Sequence, residues 1–178
     1  YALVSTDEAI KDSKINFEKI NQKRCGVIWG SGIGGLKTMS NEIESYVLNG
    51  KNPRFSPFFI PKMISDIAAG LISIKYGFKG PNFSTVSACA SSTNSLIEAF
   101  HYIKLGKSDI MISGGSEASV NEAALGGFNA LRALSTRNNE PSKASRPFDK
   151  DRDGFVLGEG AGSIILEEYQ HAINRGAK

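Results

Sequence analysis

Cys89 is the residue of this chain best placed to act as a nucleophile. In "STVSACASSTNSLIEAF" an alternating stretch runs into Cys89, and small hydroxyl residues then open a helix. A cysteine at a helix N-terminus sits in the positive end of the macrodipole, which favours the thiolate. Ala88, Ala90, Ser91 and Ser92 are all small and leave room for a bulky acyl thioester beside the sulfur. The free N–H groups of the same turn suit a developing oxyanion. A buried, inert thiol is the alternative reading. Cys25 fits that alternative, since it lies at a strand entrance with no helix behind it. Neither histidine presents itself as a base for Cys89: His101 lies twelve residues further along the same helix, more than three turns away, and His171 lies among charged residues in the last helix.

Two other patterns suggest chemistry and then break down. Gly30-x-Gly32-x-x-Gly35 follows an apolar run and precedes a helix, as a dinucleotide-binding loop does. An acidic residue for the ribose is expected about 20 residues later, where the chain instead reads "NGKNPRFSP". Asp149, Asp151, Asp153 and Gly154 match the first half of a calcium loop, but its twelfth position is Gly160 rather than glutamate, and Arg152 stands among the ligands. No metal and no cofactor is expected.

The elements that must position Cys89 can be read from periodicity. "YALVSTDEAIKDS" reads as a helix tail, with Ser5-x-x-Glu8 as a possible capping box. "RCGVIWG" reads as a buried strand and "GGLKTMSNEIESYVLNG" as a helix closed by Asn49-Gly50. "KNPRFSPFFIP", with three prolines and three phenylalanines, reads as an irregular loop whose aromatics plug a core or an interface. "KMISDIAAGLISIKYG" is expected to form a helix with Met63, Ile67, Leu71 and Ile74 on one face and Gly77 as its stop. "NFSTVSA" is a strand, followed by a helix with Leu96, Phe100 and Ile103 on one face. "DIMISGGSEA" and "GSIILEEY" complete the strands, and Gly176 caps a last helix. Strands alternating with helices predict an α/β domain with a mainly parallel sheet.

Composition narrows the class. The chain has 178 residues, 40% hydrophobic and 22% charged, with a net charge of +3, ordinary for one globular domain. The cations are scattered rather than striped, so nucleic acid is not an expected partner. Two cysteines make no disulfide framework, which predicts a reducing compartment. No apolar run of about 18 residues predicts a membrane span, and no signal peptide is evident. The chain starts at Tyr1 and stops just past a helix, so a piece of a longer protein, cut at both ends, is expected.

At this point a resemblance enters. "GPNFSTVSACASS" resembles the active-site segment of the β-ketoacyl-acyl carrier protein synthases. "GGFNALRALSTRNNEPSKASRPFDKDRDGFVLGEGAGSIILEE", "GSGIGG" and "SPFFIPKMISDIAAG" resemble neighbouring parts of the same family. The likeness covers nearly the whole chain and is strongest to the type II elongating synthase. It implies a thiolase-like αβαβα fold, of which residues 1–178 make most of the first half. It implies that Cys89 accepts an acyl chain from acyl carrier protein and that malonyl-acyl carrier protein then condenses with it by decarboxylation, extending a fatty acid. The family's catalytic histidines, a nearby lysine and a second oxyanion donor belong to its second half, and neither His101 nor His171 falls in the matching motif. The chain alone is therefore expected not to condense substrates.

The resemblance further implies that Ile33 floors the acyl pocket, that Phe128 walls it, and that Phe59 and Ile60 face the partner subunit's pocket in a homodimer. In that dimer "NFSTVSA" would pair with its copy. Arg54 and Arg132 match the family's docking face for the acidic carrier protein, with Lys51 and Lys62 near Arg54. The expected location is the cytoplasm, or an organelle in a eukaryote. A polyketide ketosynthase is the alternative. A non-catalytic chain-length partner would lack Cys89, and an NAD(P)-binding oxidoreductase remains as a third class.

Overall fold

The computed structural model describes residues 1–177. A single four-stranded sheet carries the strand order β2-β1-β3-β4. Here β1 is Cys25–Gly30, β2 is Asn82–Thr85, β3 is Ile110–Glu117 and β4 is Gly160–Glu167. The first three run parallel and β4 is antiparallel to β3, which matches the expected mainly parallel α/β sheet. The crossovers carry α2 (Leu36–Leu48), α3 (Phe59–Met63), α4 (Ile67–Tyr76) and α5 (Ser91–Lys104). Flanking them are α1 (Ala2–Ser13), α6 (Glu122–Ala130) and α7 (Tyr169–Asn174).

The period-2 alternation of strands divides the core between two faces. Cys25, Val27 and Trp29 of β1, with Ile110 and Ile112 of β3, pack under Ile10 of α1 and Ala69 and Ile72 of α4. On the other face Ile28 and Met111 meet Ala99 of α5. Residues 26 and 30 of β1 are glycines; Gly26 leaves room for the Pro81 carbonyl and Met111, and Gly30 for the start of α5. A Cβ at Gly30 would lie 2.4 Å from the Ser92 nitrogen. Ser95 of α5, fully buried, donates to the Gly114 carbonyl at 2.6 Å and accepts from Ser113 at 3.2 Å. The helix that begins beside Cys89 is thus bonded to the sheet.

Several expectations needed correction. Ser5 is inside α1, where its hydroxyl donates to the Ala2 carbonyl; the helix starts after Tyr1 without a side-chain cap. The loop of prolines and phenylalanines ends at Phe58, because Phe59–Met63 forms a short helix. Residues 64–66 then break the chain before α4, so Met63 is not on that helix. The buried face of α4 is Ala69 and Ile72, whereas Leu71 and Ile74 are exposed. A helix apolar almost all round gives periodicity no side to choose. In α5 the buried face is Ser91, Ser95 and Ala99, and Phe100 is exposed. Glycines and small residues let this helix sit close to the sheet, so its small side is its inner side.

Candidate active site

The site lies at the C-terminal ends of β1 and β3. Cys89 occupies a 3-10 turn, Ala88–Ala90, that leads directly into α5. Its thiol is free and exposed. The turn is sharp, and Ala88 takes φ 51°, a left-handed conformation that costs a non-glycine residue about 1–2 kcal/mol. Ser91 holds it there. Its hydroxyl donates to the Ala88 carbonyl at 2.7 Å and accepts the Ser87 N–H at 2.9 Å. Thr85 donates to the Ser91 carbonyl at 2.7 Å, and Asn94 donates to the Ser87 hydroxyl at 2.6 Å. The Ser-rich stretch that the sequence offered only as small residues is therefore a brace for the turn that carries Cys89.

Cys89 opens onto a cavity of about 540 Å³. Ile33, Phe128, Glu117, Ser119 and Leu157 line it with glycines of β1, β3 and β4. Phe128 is fixed edge-on against Phe155, with ring centroids 5.2 Å apart. Such a pocket, mainly apolar with a thiol at its wall, suits a hydrocarbon chain carried on sulfur. Among the described residues no histidine lines it. His101 is on α5 near Glu98. His171 is half-buried against Glu167, with Nδ1 2.5 Å from the carboxylate. Burial would raise the Glu167 pKa, but Arg175 and His171 hold it below the usual carboxylate value.

The glycine loop has a use that its spacing does not disclose. The Glu117 carboxylate, at the end of β3, accepts the N–H groups of Gly32 and Ile33 at 2.8 Å each and of Gly34 at 3.1 Å. The donors a phosphate would need are already engaged, so the dinucleotide pattern is occupied from within the chain. The missed signal was an acidic residue that closes the adjacent strand rather than the second one. The acidic turn at 149–153 likewise satisfies itself. Asp153 accepts from Ser135 at 2.7 Å, from the Thr136 N–H at 2.9 Å and from Arg146 at 3.0 Å. The Ser135 hydroxyl foremost, then the Thr136 N–H, bring its pKa down to about 2. Asp149 accepts the Asp151 N–H.

The remaining candidates are separate from the cavity. Phe59 stacks on Phe55, which stacks on Tyr46, a small aromatic column on α2 and α3, and Ile60 is exposed. Arg54 is exposed on the loop before α3. Arg132, at φ 53°, follows α6 and lines a second surface cavity with Arg146, Arg152 and Phe148. Cys25 is buried in the sheet, its Sγ donating to the Asn21 carbonyl at 3.3 Å, and burial pushes its thiol up to about 12.

The β-ketoacyl synthase N-terminal domain profile matches residues 1–172. The chain is 48% identical to 3-oxoacyl-acyl-carrier-protein synthase 2 of Synechocystis, over 100% of this chain and 42% of that one. It is 46% identical to the mitochondrial 3-oxoacyl-acyl-carrier-protein synthase of Arabidopsis thaliana, over 100% and 39%. The chain thus spans about two fifths of the length of these curated relatives. Among solved structures it superposes on a β-ketoacyl synthase from Burkholderia phymatum with TM-score 0.89 at 35% identity, covering 100% of this chain and 43% of that one. It also superposes on a type II polyketide ketosynthase, bound to a hexaketide and in complex with its acyl-carrier protein, with TM-score 0.92 at 31% identity, covering 100% and 45%. By profile, identity and fold, this chain belongs to the β-ketoacyl synthase family and carries its thiolase-like architecture.

Proposed function

We propose that these residues form the N-terminal part of a cysteine-dependent 3-oxoacyl-acyl carrier protein synthase that elongates fatty acids. The observation that carries this reading is Cys89 on a braced, left-handed turn at the wall of an apolar cavity that also holds Ile33 and Phe128. The Cys89 sulfur attacks the thioester of an acyl carrier protein. An S–acyl bond forms on Cys89, and the bond to the carrier's sulfur breaks, its thiol leaving with the proton that Cys89 gave up. The chain lies in the cavity against Ile33 and Phe128. Malonyl-acyl carrier protein then loses carbon dioxide, and the carbon that keeps the electron pair attacks the acyl carbonyl. The Cys89–acyl bond breaks, and the departing thiolate takes a proton from solvent to restore the thiol. The 3-oxoacyl product stays on the carrier, two carbons longer.

Splitting the transfer through a covalent thioester is nucleophilic catalysis. The Cys89 N–H, in the middle of the turn, supplies one donor to the tetrahedral oxygen. Histidines that promote decarboxylation and a second such donor come from the rest of the synthase, so residues 1–178 alone do not condense substrates.

The elongating synthase is preferred over a polyketide ketosynthase because the curated relatives at 46–48% identity are named 3-oxoacyl-acyl-carrier-protein synthases. Arg54 and Arg132 serve as docking cations for the acidic carrier protein. The ketosynthase solved with its acyl-carrier protein supports such a partner. The subunits pair as a homodimer through β2, an edge strand of the sheet, with Phe59 and Ile60 turned to the partner. No helix among the described residues is long and apolar enough to cross a membrane, and both thiols are free, which suits a cytoplasmic or organellar enzyme.

The test is intact mass of the complete synthase after incubation with acyl-acyl carrier protein. An acyl adduct is expected in the wild type and absent in Cys89→Ala. An adduct that persists in Cys89→Ala would refute the assignment.

A further inference from the structure

Glu117 faces the same cavity as Cys89 and Ile33, yet acyl transfer to Cys89 and the condensation that follows give it no step. Its oxygens are shared out in a definite way. Oε2 takes the N–H groups of Gly32 and Ile33 at 2.8 Å each, and Oε1 takes that of Gly34 at 3.1 Å, with the Ser31 hydroxyl at 3.5 Å. Hydrogen bonds to a charged acceptor are roughly twice as strong as neutral ones. They hold the middle of this loop, whose ends are tied separately by the Ser31 N–H to the Thr85 carbonyl at 3.4 Å and by the Gly35 N–H to the Met63 carbonyl at 2.9 Å. The fit is close on both sides. A Cβ at Gly32 would lie 3.0 Å from Glu117 Oε2 and 3.2 Å from the Ala88 carbonyl oxygen. The loop is therefore clamped between the end of β3 and the turn that carries Cys89. Ile33, 43% exposed, has little packing of its own to fix it.

We propose that Glu117 is a positioning residue whose carboxylate, gripping the N–H groups of Gly32, Ile33 and Gly34, fixes Ile33 relative to Cys89 and so sets the length of acyl chain the cavity accepts. This rests on the acyl-transfer reading above. The clamp needs both carboxylate oxygens. A glutamine keeps the size but turns an NH2 toward one pair of donors, and an aspartate is one methylene too short to reach. An alanine leaves three N–H groups directed at an empty space the size of a small carboxylate.

The test uses the complete synthase and a ladder of saturated acyl-acyl carrier proteins, with the rate of Cys89 acylation read by intact mass. In Glu117→Gln the ratio of long-chain to short-chain rates is expected to change by about tenfold, within the range that small misplacements produce. In Glu117→Ala the same change is expected, and formate should restore the wild-type ratio while chloride at equal ionic strength should not. A merely structural role would lower all chain lengths alike and would not answer to formate. Folded variants with the wild-type ratio would overturn the proposal and leave the acyl-transfer reading intact. A wild type that forms no adduct on Cys89 would remove that reading instead. If neither variant folds, hydrogen exchange on the wild type decides. The amides of residues 32–34 are expected to exchange at least about tenfold more slowly than those of an open loop, and exchange at the open-loop rate would overturn the clamp.

Discussion

Gly30→Ala tests whether the contact between β1 and α5 places the Cys89 thiol. The new methyl group would lie 2.4 Å from the Ser92 nitrogen, 2.5 Å from the Ser91 carbonyl carbon and 2.6 Å from its oxygen. All three are backbone atoms, so no side chain can swing away. Ordinary contact begins at 3.4 Å, and 3.4 less 2.4 requires the first turn of α5 to retreat by about 1.0 Å. That turn is joined to the Ala88–Ala90 turn through the Ser91–Ala88 bond, so the sulfur moves with it. Overpacking of this kind destabilises by about 1–3 kcal/mol. A displacement of about 1 Å at a reacting group lowers the rate by roughly a hundredfold. The assay is single-turnover acylation of Cys89 in the complete synthase, followed by intact mass at a temperature where circular dichroism shows the variant folded. The expected result is acylation slowed by about two orders of magnitude with a lower melting temperature. A folded variant that acylates within about threefold of wild type would mean that the close approach at Gly30 does not position the thiol.

The two thiols should differ sharply toward iodoacetamide at pH 8. Cys89 is exposed and should be alkylated, whereas Cys25, buried and with its thiol pushed up to about 12, should stay unmodified on peptide mapping; comparable labelling of Cys25 in folded protein would contradict the burial. Asp153 has a folded pKa of about 2, below the value of about 3.9 for an unfolded chain. It therefore contributes stability above pH 4 that is lost as pH falls toward 2, and Asp153→Asn should flatten the acid limb of a melting-temperature profile; superimposable profiles would refute that role. Arg132→Glu in the complete synthase should weaken binding of acyl carrier protein, and wild-type binding should weaken with salt. An unchanged dissociation constant at low salt would remove Arg132 from the docking face.

Much of the fold was legible because strands and helices differ in period. The six buried residues of β1 and the stops at Asn49-Gly50, Gly77 and Gly176 follow from local chemistry. Which side of α4 and α5 faces the sheet was not legible. For α4, Ala69 and Ile72 pack inward while Leu71 and Ile74 face out. For α5, a serine and alanine track lies inward because the sheet beneath has glycines at 30 and 115. Local hydrophobicity ranks residues by size and polarity; it has no knowledge of how close the opposing surface comes.

The candidate site divides in the same way. The sequence by itself determined that a cysteine, preceded by a strand and followed by small helix-opening residues, stands in this chain, and its long motifs determined the family. Cys25 and Cys89 were told apart by local context alone. Only the tertiary structure decided what surrounds that cysteine. Ile33 and Phe128, 95 residues apart in the chain, meet in its cavity, whereas Phe59, Ile60, Arg54 and Arg132 lie outside it. Only the tertiary structure decided what the glycine loop holds. The carboxylate in it belongs to Glu117, 83 to 85 residues downstream of the donors. The physical reason is that a loop of backbone N–H groups specifies an anion but not its source, and the source is set by which strand end the sheet brings beside it.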